Sequence, residues 1–138
     1  MPVTAIKIVE WDLVYYHFLG YCTGAELVKA VEAASQEPLD RAITVFNLLE
    51  GEIDIDRQDI AQIIKINRQL HQIGKITTHA AVLTRSRTLE IFVKTVELLS
   101  FGEQTEFGTF SSLAEGLTWV GLAEHEEELK GMLSNSRG

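Results

Sequence analysis

The sequence is poor in the residues that mark several large classes of protein. It holds one cysteine, Cys22, so no disulfide can form within the chain, and two prolines in 138 residues, which excludes proline-rich extended architectures. No apolar run approaches the roughly 18 residues that a membrane-spanning helix needs, so no membrane insertion is expected. Lys and Arg total 12 against 20 Asp and Glu, giving a net charge of −8, and the cations are scattered. A basic face that could neutralise phosphates is missing, which argues against nucleic acid as a partner and against electrostatic attachment to an anionic membrane. No charged-then-apolar signal pattern opens the chain, and together with the lone thiol this makes a reducing cytoplasm the expected location. Glycines are too dispersed for a phosphate loop: Gly20, Gly24 and Gly51 stand alone.

What is present is the mixture of an ordinary globular protein, 46% hydrophobic and 23% charged, in a length that can bury one core without staples. Two strands open the chain, Thr4 to Val9 and Leu13 to Leu19, joined tightly at Glu10-Trp11-Asp12 as a hairpin. The second is apolar on both faces, with Leu13, Tyr15 and Leu19 on one and Val14, Tyr16 and Phe18 on the other, so both faces are expected to be covered. Thr23 and Glu26 form a capping box ahead of Leu27, Ala30, Val31 and Ala34 at helical spacing. The run from Ala42 to Leu49 predicts a central strand, and Glu50-Gly-Glu-Ile-Asp-Ile-Asp56 an acidic connection to a second helix that runs to about Ile73, with Gly74 as its stop. A buried strand from Thr77 to Thr84, a third helix from about Arg87 to Ser100, a strand from about Gln104 to Phe110 and a fourth helix capped by Ser112 and Glu115 complete the order ββαβαβαβα. This predicts an α/β fold: one domain over 1–122, then an acidic and finally polar helical tail over 123–138 whose Leu129, Met132 and Leu133 are available to dock on the body.

That order, the Trp11-x-Leu13-Val-Tyr15 strand, the Gly20-x-x-Thr23-Gly-x-Glu26-Leu27 helix entry and the closing Phe110-x-x-Leu113-Ala-Glu-Gly-Leu-x-Trp119-Val120 resemble the STAS superfamily, and within it the SpoIIAA-like branch. The resemblance spans residues 5–122 and implies a mixed, mostly parallel sheet with flanking helices. In anti-sigma-factor antagonists of the superfamily a phosphorylatable Ser follows an Asp where the central strand meets the next helix. The matching stretch is Ile53-Asp54-Ile55-Asp56, in which Asp54 matches the Asp and Ile55 stands where the Ser would be. The resemblance therefore implies a lost phospho-switch, and what remains is similar to uncharacterised bacterial members of the branch, for which binding or scaffold roles are the usual expectation.

The candidate sites are few. The carboxylates of Glu50, Glu52, Asp54, Asp56 and Asp59 suit a hard cation by type, but no Gly occupies the sixth position from Glu50 and Ala61 stands at the twelfth, so the calcium-loop pattern is absent. Asp56 is better placed as the cap of the second helix; no metal and no other cofactor is expected. In the loop Thr84-Arg85-Ser86-Arg87-Thr88, two guanidinium groups beside a helix start suit an anion, at the strand ends where α/β sheets bind ligands. The alternative is that Ser86 or Thr88 caps the third helix while Arg85 and Arg87 are solvated or pair with Glu50, Glu52 or Asp54. Asn67 on the apolar face of the second helix, His71 one turn on and His79 at the next strand are the remaining candidates for lining a ligand cavity; most such residues serve a backbone carbonyl or sit on a rim. The four histidines lack metal-ligand spacing, and no nucleophile stands beside a base, so the chain is read as a non-enzyme.

The third helix carries one apolar stripe too many. Leu89, Phe92, Val93, Val96 and Leu99 make its core face, while Ile91 and Leu98 lie on the opposite side, two turns apart. Single exposed apolar residues are ordinary. The alternative is a subunit interface formed by Ile91, Leu98 and Phe101, which a symmetric homodimer would satisfy. The expectation is an interaction or regulatory domain; the competing one is a sensor or carrier of an apolar or anionic small molecule at the strand ends.

Overall fold

Alternation of apolar side chains over Leu13–Phe18 sends Leu13 and Tyr15 to one side of the backbone and Val14, Tyr16 and Phe18 to the other, and all five are buried. A strand covered on both faces needs helices above and below it, and the computed structural model, which describes residues 3–35, 41–72, 76–99 and 106–137, has that form. The strands are β1 (Val3–Ile8), β2 (Leu13–Thr23), β3 (Arg41–Asp54), β4 (Ile76–Leu83) and β5 (Glu106–Phe110). The helices are α1 (Gly24–Ser35), α2 (Arg57–Gln72), α3 (Arg87–Leu99), α4 (Leu113–Val120) and α5 (Glu126–Arg137), with 3₁₀ turns at Val9–Trp11 and Ala123–His125.

The sheet order is β1-β2-β3-β4-β5. The β1–β2 hairpin is antiparallel, as expected, and β2 through β5 are parallel. Each crossover steps one strand along in the same direction, and because such crossovers share one hand, α1, α2 and α3 lie on one face. Their Leu27, Val28, Ile63, Ile64, Leu89, Val93 and Val96 close a first core with Val14, Tyr16, Phe18 and Phe46. Helices α4 and α5 cover the other face, where Leu117, Val120 and Leu129 meet Leu13, Tyr15, Val45, Ala81 and Leu83. Gly116 lets α4 lie close on β4, since a Cβ there would stand 2.5 Å from Leu83 Cδ2. Gly121, at φ 83°, ends α4 in the left-handed cap that glycine favours.

One boundary differs markedly from the sequence expectation. Glu50–Asp54 is not a connection: β3 runs on to Asp54, pairing Leu19–Thr23 of β2 with Glu50–Asp54. The extension follows a bulge, for β3 advances from Asn47 to Glu50 while β2 advances only from His17 to Leu19. Asn47 serves the bulge: its Oδ1 accepts from Leu49 N at 3.0 Å and its Nδ2 donates to the Tyr15 hydroxyl at 2.6 Å. In the C-terminal segment α5 buries Leu129 completely in the second core, with Met132 and Leu133 packed at its edge. The expected helix stop at Gly74 lies outside the described residues.

Candidate functional site

The carboxyl ends of β2, β3 and β4 each lead into a helix, and each entry is closed by its own polar side chains. Thr23 Oγ1 accepts from Glu26 N at 3.2 Å while Glu26 Oε1 accepts from Thr23 N at 3.2 Å. Asp56 and Asp59 reciprocate in the same way at the start of α2, at 3.0 and 2.9 Å. Ser86 Oγ accepts from Leu89 N at 3.3 Å and so caps α3, and the buried Thr84 accepts from Ser86 N at 3.0 Å. The charge at the start of α2 is thus spent on free helix N–H groups. Among the described residues no three His, Cys, Asp or Glu side chains are arranged to hold a metal ion.

Between these entries lies an open groove of about 580 Å³. One wall is the extension of β3 with the turn into α2, from Gly51 to Ile55; the other is Thr84, Ser86 and Thr88 with α3, whose Leu89, Ile91, Phe92 and Thr95 take part. Ile60 of α2 also contributes. The lining is mostly apolar with four hydroxyls, and its charged members are Glu52 and Asp54.

The structure separates the residues that sequence spacing placed near one another. His79 stands in the amino-terminal half of β4, its Nε2 3.4 Å from Glu106 Oε2 and its ring edge-on to Trp119 at 5.0 Å. Arg85 and Arg87 follow the other end of that strand. Arg87 is 84% exposed and lies 3.8 Å from Glu90, and Arg85 is exposed; neither lines the groove, whereas Ser86 does. Asn67 and His71 belong to α2, but their side chains lie outside the described residues, as does Phe101. Ile91 and Leu98 are 55% and 72% exposed, and Ile91 forms part of the groove rim. Ile55 sits half-buried in the turn ahead of α2, packed against the first core.

Sequence reasoning missed Phe92, Ile60 and Thr84 as groove residues. Phe92 reads from its spacing as part of the core stripe of α3, and a residue on the edge of a stripe has the same spacing whether it meets a core or a cleft. Cys22, in the β2 extension, is fully buried; burial and the neighbouring Glu26 push its thiol above the ordinary 9.0. It is therefore poorly placed to act as a nucleophile.

Neither a protein-family model nor a curated protein matches the chain. Among solved structures it is similar to an uncharacterized protein of the DUF3478 family from Shewanella loihica PV-4, described as having a SpoIIAA-like fold. The two share 13% identity, the match covers 86% of this chain and 91% of that one, and the TM-score is 0.55. The chain has a SpoIIAA-like fold: a five-stranded, mostly parallel sheet with five helices.

Proposed function

We propose that this SpoIIAA-like domain is a non-enzymatic interaction module that works by protein contact through α3 and the groove beside it. One observation carries the proposal: Ile91 and Leu98 are exposed on the outer side of α3 although that helix already buries Leu89, Val93 and Val96 in the core. Two exposed aliphatic side chains next to a mostly apolar groove make a patch that gains from being covered. The first partner is a second copy, giving a homodimer across α3. Contact is not gated by phosphorylation of the turn before α2, where Ile55 has no hydroxyl. The lone, buried Cys22 suits a reducing cytoplasm.

The test is the mass in solution of the wild type and of the double variant Ile91→Asp with Leu98→Asp. A dimer that becomes a folded monomer supports the proposal. A monomeric wild type, or a dimer the variant leaves intact, removes α3 as the self-interface.

The groove itself favours a second reading, a carrier of a small molecule. Its volume of about 580 Å³ falls among small-ligand sites. Because Arg85 and Arg87 do not line it, the ligand would be apolar with hydroxyl or carbonyl groups rather than an anion. Native mass spectrometry of the freshly purified chain tests this: a retained small molecule supports a carrier, and bare protein mass counts against it.

A further inference from the structure

The pairing of β3 is lopsided. Its pairing with β4 ends at Asn47 and Leu83, but its pairing with β2 continues to Asp54. Beyond Leu83 the chain turns toward β5, where Thr84 N donates to Phe110 O at 2.8 Å. Alternate residues of a strand direct both N–H and C=O to the same side, so the stretch from Gly51 to Asp54 presents donors and acceptors along its β4 side. Among the described residues no strand pairs with them there, and that edge borders the groove. Natural sheets seldom leave such an edge without a charged guard or an occupant.

The faces of this edge are chemically distinct. Ile53 pairs with Cys22, and both pack in the first core, so Ile53 faces the helices. By alternation Glu52 and Asp54 face the opposite way, and the Tyr21 hydroxyl, which donates to Asp54 Oδ2 at 3.4 Å, lies on that same face. A strand laid along the edge would place one set of side chains against Ile53, Ile60 and Phe92 and the alternate set beside Glu52 and Asp54. A second copy of the same edge would bring carboxylates against carboxylates, which disfavours self-pairing.

We infer that the free edge of β3 at Gly51–Asp54 receives an extended segment of a partner protein, alternately apolar and basic, which adds to the sheet as a strand between β3 and the Thr84–Thr88 loop. This rests on the interaction role proposed above and names the partner's chemistry. Main-chain hydrogen bonds supply affinity, and the alternating side chains supply selectivity.

The experiment titrates ¹⁵N-labelled full-length chain with a capped heptapeptide alternating Lys and Val. Two controls accompany it: the same peptide with Glu for Lys, and the Lys peptide N-methylated at alternate residues, which cannot pair its backbone. The expected result is amide shifts at Gly51, Glu52 and Ile53 and through Thr84–Thr88 with the Lys peptide alone. The affinity should fall at least about tenfold in the variant Glu52→Lys with Asp54→Lys, both positions being exposed, and less in Glu52→Gln. Equal responses to either control peptide, shifts confined to the amino ends of the strands, or no shift at millimolar peptide would overturn the inference. A chain that stays monomeric yet binds the peptide refutes only self-association through α3; a dimer that ignores the peptide refutes only the strand site.

Discussion

The two ends of the sheet use similar residues differently. At the amino ends, polar and aromatic side chains are consumed by one another. Trp11, in the β1–β2 connection, stacks on His125 with centroids 4.0 Å apart, and His125 meets Glu128 at 3.1 Å and Glu124 at 3.6 Å. His79 lies between Glu106 and Trp119. At the carboxyl ends the helix caps are equally closed, yet a strand edge, an apolar groove and Ile91 remain open. A histidine beside a carboxylate at the closed end secures the chain to itself, whereas the open end, with less conspicuous residues, leaves an edge and a groove uncovered among the described residues. Damage at the closed end should therefore cost stability without touching recognition, and damage at the open end the reverse.

The strongest way to break that contrast is Leu129→Ala. Leu129 is the fully buried anchor of α5, and truncating such a residue costs about 2–5 kcal/mol through lost burial and the cavity left behind. Urea unfolding should show that loss, while the groove amides of the folded variant stay in place. An effect below about 0.5 kcal/mol, the ordinary value for a surface change, would make α5 a loosely attached tail.

Next in size is the stack at the β1–β2 connection. Trp11 is half-buried and belongs to the periphery of the second core, so Trp11→Ala should cost about 2 kcal/mol, less than a fully buried aromatic. A double-mutant cycle with His125→Ala should show a coupling of about 0.5–1.5 kcal/mol, the range for aromatic pairs. A coupling near zero would mean that the two rings are neighbours without being a latch.

The amount of this that could be read beforehand depended on the range of the interaction. Thr23 with Glu26 and Ser112 with Glu115 are local devices, and both occur where expected. The hairpin, the parallel order and the two-sided burial of β2 follow from alternation and from the sequence of elements. The extension of β3 was not legible, because Glu50-Gly-Glu has little strand preference of its own and is held by β2, a partner distant in sequence. The groove depends on that extension and shared its obscurity. His79 and Arg85 are only six positions apart in sequence, but the strand β4 between them, at about 3.3 Å per residue, holds them well apart along the sheet. Exposure of Ile91 and Leu98, by contrast, was visible as a second stripe, since a helix that has filled one face can only turn the other outward.

The smallest effect sharpens the contrast from within the open end. Cys22 belongs to the β2 extension that carries the groove wall, yet it is sealed in the first core with its thiol pKa raised by burial and by Glu26. If the extension is as firm as its pairing to β2 implies, iodoacetamide at pH 8 should modify the native chain at least about a hundredfold more slowly than the urea-unfolded chain, because reaction would require opening. The same raised pKa has a linkage consequence. The folded state holds the thiol proton more tightly than the unfolded state, so this contribution to stability is complete below the unfolded pKa and declines as pH rises from there through the folded value. The stability difference between wild type and Cys22→Ala should therefore be constant through neutral pH and shift against the wild type above about pH 9. A difference independent of pH up to about 11 would show that folding leaves the thiol pKa unshifted, and rapid alkylation under native conditions that the ribbon of β2 and β3 opens readily. The groove wall would then be assembled by its partner rather than waiting for it.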